Sequence, residues 1–151
     1  MGDSQIGSKM ARARRGAREL LVKALYQWQV AETGETELRE QFAEMPEYDR
    51  VDQAYFAELL GLVMANVGNF DAIITEHADR DAAQQDAVGR AILLLALAEL
   101  EQRLDVPTKV VINEAVELAK RYGPVDSHKF VNAVLDKAAA AMPSREQVQE
   151  R

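Results

Sequence analysis

Asp126, Ser127 and His128 are consecutive and supply the three side-chain types of a serine-hydrolase relay. Such a relay needs a nucleophile bonded to a base and the base bonded to an orienting acid, a matter of geometry and not of order. Adjacent helical positions project about 100° apart, so three in a row cannot form it. The plainer reading makes Asp126 an N-cap, its carboxylate accepting from backbone N–H groups of the next turn, worth about 0.5 to 2 kcal/mol. Metal chemistry has no better support. Only His77 and His128 are available, cysteine is absent, and no H-E-x-x-H or EF-hand spacing occurs. The eight glycines are scattered, so no loop cradles phosphate. The expectation is a protein that is not an enzyme and uses no metal or cofactor.

The sharper signal is cationic. Lys9, Arg12, Arg14, Arg15 and Arg18 fall in one ten-residue stretch that holds no acidic residue. The net charge is −7; this stretch carries +5, which leaves −12 on the remainder. A local positive field can engage a polyanion while the acidic body stays soluble. On a helix Arg14 and Arg18 share one side, with Arg15 beside them. Guanidinium groups there suit phosphate because their donors form a planar fork. Tyr26, further along the helix, supplies a ring on which a base could stack, which is what single-stranded RNA requires. Basic residues at a helix start oppose the dipole, a local cost that suggests a purpose elsewhere. The same residues also fit an acidic protein surface, a membrane surface or a solvated tail without a role. Trp28 falls on the apolar stripe and is expected in the core, whereas Phe130 lies one turn past Asp126, where a ring can be half exposed.

The elements that position these residues are helical. Residues that are 48% hydrophobic and 28% charged describe an ordinary globular chain, and 151 residues suffice for one domain without disulfides or metal. The longest continuous apolar run, Ala91 to Ala98, is eight residues and cannot cross a bilayer. The polar start lacks the apolar core of a secretory signal, and the missing cysteines fit a reducing compartment. Residues 1–10 read as a flexible tail, 11–142 as the helical domain and 143–151 as a polar C-terminal tail.

Apolar residues at intervals of three and four predict a first helix from about residue 11, carrying Ala17, Leu21, Ala24, Leu25 and Trp28 inward and closing near Thr33 and Gly34. A short helix over about 36–44 precedes Pro46. A third runs from near Val51 to Asn66–Asn69, and a shorter one holds Ile73, Ile74 and His77. A polar connection leads to a central helix with Val88, Ile92, Leu95 and Leu100, stopped by Pro107. Two more follow, 108–122, ended by Gly123 and Pro124, and from Asp126 or Ser127 to about Met142. The fold class is all-α: a single compact domain of about seven helices in two packed antiparallel bundles, one group to about residue 80 and another from 86.

The segments RARRGARELLVKALYQWQ and DVPTKVVINEAVELAKRYGPVDSHKFVNAVLDK closely resemble the NusB transcription antitermination family over about 12–140. The later block is the more specific, since Asn113, Glu114 and D-S-H-K-F-V-N do not arise from generic helix patterning. The resemblance implies two helical bundles without catalytic activity, in the cytoplasm. It implies binding of boxA-like RNA of ribosomal RNA operons, together with a small ribosomal subunit protein (NusE), within the RNA polymerase antitermination complex. The RNA surface implied here comprises Arg12, Arg14, Arg15, Arg18, Tyr26, His77, Asp126, Lys129 and Phe130, which would require the two ends of the sequence to converge. Asp126 could both cap its helix and accept from a base amino group. His77 stands where some relatives have tyrosine, and Gly16 replaces an arginine, removing one cation and about 1 kcal/mol of helix propensity relative to alanine. The partner protein is expected around the 86–101 helix, where Gly89 replaces an acidic residue. Two alternatives stay open: a helical accessory or protein-interaction domain related to the N-terminal domain of RNA cytosine methyltransferases, and a mainly protein-binding module whose basic helix start meets an acidic surface or, as a homodimer, a second copy of itself.

Overall fold

The computed structural model describes residues 2–78, 85–143 and 145. Its described residues form six α-helices and one 3-10 helix, with no strand. They are α1 (Gly2–Ala31), α2 (Glu35–Ala43), the 3-10 helix Pro46–Arg50, α3 (Gln53–His77), α4 (Ala87–Gln102), α5 (Thr108–Tyr122) and α6 (Ser127–Ala140). The chain divides into two compact units, Met1–Leu62 and Val63–Arg151. The division falls inside α3, well before the polar connection where the hydrophobic pattern places it. Within α3 the backbone of Asn66 is not helical (φ −128°, ψ 18°), so two helical segments meet at a kink there, at the position where the sequence places the break between two helices. By length and composition α3 is the one described helix that could cross a bilayer, although Tyr55, Phe56, Leu59 and Leu60 of its first half are committed to a protein core.

In the first unit α1 buries Ala17, Leu20, Leu21, Ala24 and Leu25 on one stripe. It begins at Gly2, upstream of residue 11, so residues expected in a flexible tail are helical. Its end differs too: Glu32 takes the left-handed conformation (φ 57°) that Gly34 was expected to supply, while Gly34 is extended and precedes α2. Phe42 of α2 stacks on Phe56 of α3 with centroids 6.0 Å apart, and Tyr48 meets Phe56 edge-on at 5.8 Å. Aromatic pairs of this kind add about 0.5 to 1.5 kcal/mol beyond the area they bury. Trp28, expected in this core, is only partly buried.

The second unit is built around α4, whose residues Ala91 to Leu100 are all buried. An unbroken apolar run makes a helix that must be covered on every side. Its N-terminus is closed by Asp86, whose Oδ1 accepts from the Gly89 N–H at 2.7 Å. A Cβ on Gly89 would sit 2.7 Å from Asp86 Oδ2, so a larger residue there would have to displace the capping carboxylate. Arg90 makes a two-pronged pair with Asp71 of α3, at 2.7 and 3.1 Å, the strong geometry for a guanidinium and a carboxylate.

The far end of α4 is closed from an unexpected direction. Arg145, placed by sequence in a polar tail, is 0% exposed. Its guanidinium donates to the carbonyls of Glu99, Leu100, Arg103 and Val106. The last carbonyls of a helix lack intrahelical partners, and a five-donor fork is suited to collecting several of them. The remainder of the expected tail lies outside the described residues, apart from Pro143.

Candidate nucleic-acid interface

The arginine segment lies in the middle of α1, so it carries no first-turn penalty from the helix dipole, whose effect is confined to the terminal turns. The helix sorts its cations by face. Lys9, Arg12 and Arg15 are exposed, Arg14 is half-buried and Arg18 is buried, 4% exposed. Arg18 shares the face of Leu21 and Leu25, at spacings of three and seven, and is carried into the core with them. Arg18, expected from sequence on the RNA surface, lies over the ring of Tyr55, 5.6 Å from the centroid. Arg14 covers the same ring at 4.6 Å and places Nε 3.7 Å from Asp52 Oδ2. The side shared by Arg14 and Arg18 faces protein, and the cationic surface is carried by Lys9, Arg12 and Arg15.

Asp52 and Tyr55 were not singled out from sequence. Asp52 Oδ1 accepts from the Tyr55 N–H at 3.0 Å, capping α3, and its own N–H donates to the Ala13 carbonyl at 3.0 Å. An aspartate three residues before an aromatic at a helix start is the readable signal for that cap. Gly16 now has a packing reason, because a Cβ there would lie 2.8 Å from Val51 Cγ1. Tyr26 is 44% exposed, as required of a stacking ring, and Val30 beside it is also exposed.

In the second unit Asp126, Lys129 and Phe130 come together at the start of α6. Asp126 and Lys129 are exposed, with Oδ1 and Nζ 3.8 Å apart, and Phe130 is partly buried. Asp126 does not cap with its side chain. It occupies the N-cap position in the left-handed conformation (φ 64°, ψ 5°), and only its backbone carbonyl accepts, from the Lys129 N–H at 3.2 Å. Its carboxylate is exposed and makes no bond to the first-turn N–H groups. Left-handed backbone at a non-glycine residue is uncommon and collects at functional sites.

Gln85, Asp86, Pro124, Val125, Asp126, Ser127 and Phe130 line an open cavity of about 460 Å³. Val125 is 92% exposed, with its side chain in solvent. A cavity edged by carboxylates and a ring can stack a flat heterocycle and accept from its amino groups. His77, the last residue of α3, is largely buried, with Nε2 3.9 Å from Glu76 Oε2, and is not among the residues lining the cavity. Among the described residues no group of three or more histidines or carboxylates is placed to hold a metal. On α4, around which the partner protein is expected, residues from Ala91 to Leu100 are buried and only the two ends of the helix reach solvent.

Known proteins share this sequence and this fold. Transcription antitermination protein NusB of Yersinia enterocolitica is 47% identical over 133 residues, covering 88% of this chain and 96% of that protein, and the Yersinia pestis protein of the same name matches equally. NusB of T. maritima superimposes with a TM-score of 0.75 at 28% identity, over 91% of this chain and 97% of that one. A NusB chain crystallised with NusE and double-stranded RNA matches with the same score and identity, over 88% of this chain and all of that one. Residues 15–140 match the NusB family. With most of both helical units and the block around Asp126 inside that match, the chain belongs to the NusB family.

Proposed function

We propose that the chain is an RNA-binding transcription antitermination factor, acting in the cytoplasm within the RNA polymerase antitermination complex. It binds boxA-like single-stranded RNA of ribosomal RNA operons together with the small ribosomal subunit protein NusE. It is not an enzyme, and its family is one of antitermination proteins. The observation that carries the RNA reading is the outward row of Lys9, Arg12 and Arg15 on a chain whose net charge is −7. Solved relatives crystallised with RNA and NusE support it.

The two regions contribute different chemistry. Arg12 and Arg15 meet phosphate, a contact that fixes position without reading bases. Phe130 and Asp126, together with the exposed ring of Tyr26, supply stacking and a base-edge acceptor. Arg14 and Arg18 act from beneath by shaping the helix that carries the outer cations, Lys129 adds charge beside Asp126, and His77 contributes at the end of α3.

Filter binding with a single-stranded boxA-like oligonucleotide tests the proposal, with duplex RNA as competitor and with NusE present or absent. Single-stranded RNA is expected to bind in preference to duplex, and more tightly with NusE. Equal affinity for an unrelated oligonucleotide of the same length, with NusE present, would overturn the boxA assignment.

A further inference from the structure

We propose that Asp52 is a positioning residue for the arginine segment of α1, holding Arg14 against Tyr55 so that the same helix presents Arg12 and Arg15 to RNA; the inference rests on the RNA reading above. Three links leave this one residue. Its backbone N–H donates to the carbonyl of Ala13, the residue immediately before Arg14. Its Oδ1 accepts from the Tyr55 N–H and fixes the start of α3. Its Oδ2 lies 3.7 Å from Arg14 Nε. The ring fixed by the second link is the one that Arg14 covers at 4.6 Å and Arg18 at 5.6 Å. Gly16 lets Val51 approach α1 closely enough for all of these to form together. Residues 51–55 are thus a mould against which residues 13–18 are set.

Arg14 faces protein, so its part is indirect. Fixing residues 13–18 against residues 51–55 before RNA arrives removes the cost of ordering that segment from binding, the usual benefit of preorganisation. Simple electrostatics gives the opposite sign. A carboxylate beside a guanidinium cancels positive charge, so neutralising it should strengthen binding to a polyanion. The sign of the effect therefore separates positioning from screening.

Asp52→Asn isolates the question, since asparagine keeps an Oδ1 acceptor for the Tyr55 N–H but loses the charge facing Arg14. Affinity for single-stranded boxA-like RNA is expected to fall about three- to fivefold, the upper part of what a partly exposed ion pair supplies. Asp52→Ser, another good N-cap without a carboxylate, should fall similarly, which covers the case of an unstable asparagine variant. In an Arg14→Ala background neither change should weaken binding further. Unchanged or tighter binding by Asp52→Asn, or an equal loss in the Arg14→Ala background, would overturn the inference. Arg12→Ala with Arg15→Ala is the control for the RNA reading itself. If that pair leaves affinity intact the RNA reading fails, whereas if it weakens binding and Asp52→Asn does not, only the positioning role fails.

Discussion

The arginine stretch of α1 and the start of α6 both set charged residues near an aromatic ring, yet the fold uses them in opposite ways. Along α1 the cations are divided by helical face: Arg12 and Arg15 go to solvent, and Arg18 goes to the core over Tyr55. At α6 neither Asp126 nor Lys129 is buried, and the unusual feature is the left-handed backbone of Asp126 beside a cavity. A cluster of charge in sequence is therefore not the charge a surface presents. The first region offers long-range, salt-sensitive attraction, and the second offers shape and base-edge acceptors that salt affects little.

The largest expected effect breaks the comparison inside α1. Arg18→Ala should lower the unfolding free energy by about 2 to 4 kcal/mol, the scale for truncating a large buried side chain, as read by chemical denaturation. A loss below about 0.5 kcal/mol, typical of surface positions, would mean that Arg18 is not packed as described. At α6, Phe130→Ala should cost about 1 to 3 kcal/mol of RNA affinity by removing a stacking platform. Its salt dependence should stay that of the unmutated protein. Next comes the double variant Arg12→Ala with Arg15→Ala, for which a roughly tenfold weaker Kd corresponds to about 1.4 kcal/mol. Thermal unfolding should show its stability unchanged. The smallest effect sharpens the contrast in backbone: Asp126→Gly should raise stability by about 0.5 kcal/mol, because glycine adopts φ 64° without a Cβ clash. The same variant should lose preference for bases that offer an amino group, measured with oligonucleotides substituted one base at a time.

Much of the fold is legible from punctuation and periodicity. Pro107 immediately precedes the start of α5, Gly123 and Pro124 place its end within a residue or two, and the apolar run from Ala91 marks the central helix. The family is legible in the block from Asp105 to Lys137. What is not legible depends on partners distant in sequence. Arg18 looks like Arg15 until Tyr55, 37 positions later, is placed beneath it. Arg145 looks like tail until the carbonyls of Glu99, Leu100, Arg103 and Val106 converge on it. The division at Leu62 and Val63 escapes the pattern because the first helical segment of α3 runs past it to the kink at Asn66. Asp126 sits at its helix start as its residue type suggests, but its backbone is left-handed and its side chain makes no cap hydrogen bond, and side-chain type alone does not reveal backbone conformation.

The most direct test is the slope of log affinity against log salt for single-stranded boxA-like RNA, measured on the unmutated protein, on Arg12→Ala with Arg15→Ala, and on Phe130→Ala. Each lost phosphate contact should reduce the slope by about 0.7. The arginine pair should therefore flatten it by about 1.4, while Phe130→Ala lowers affinity on an unchanged slope. Three parallel lines, with the arginine pair as steep as the unmutated protein, would contradict the claim that the outward cations of α1 hold RNA.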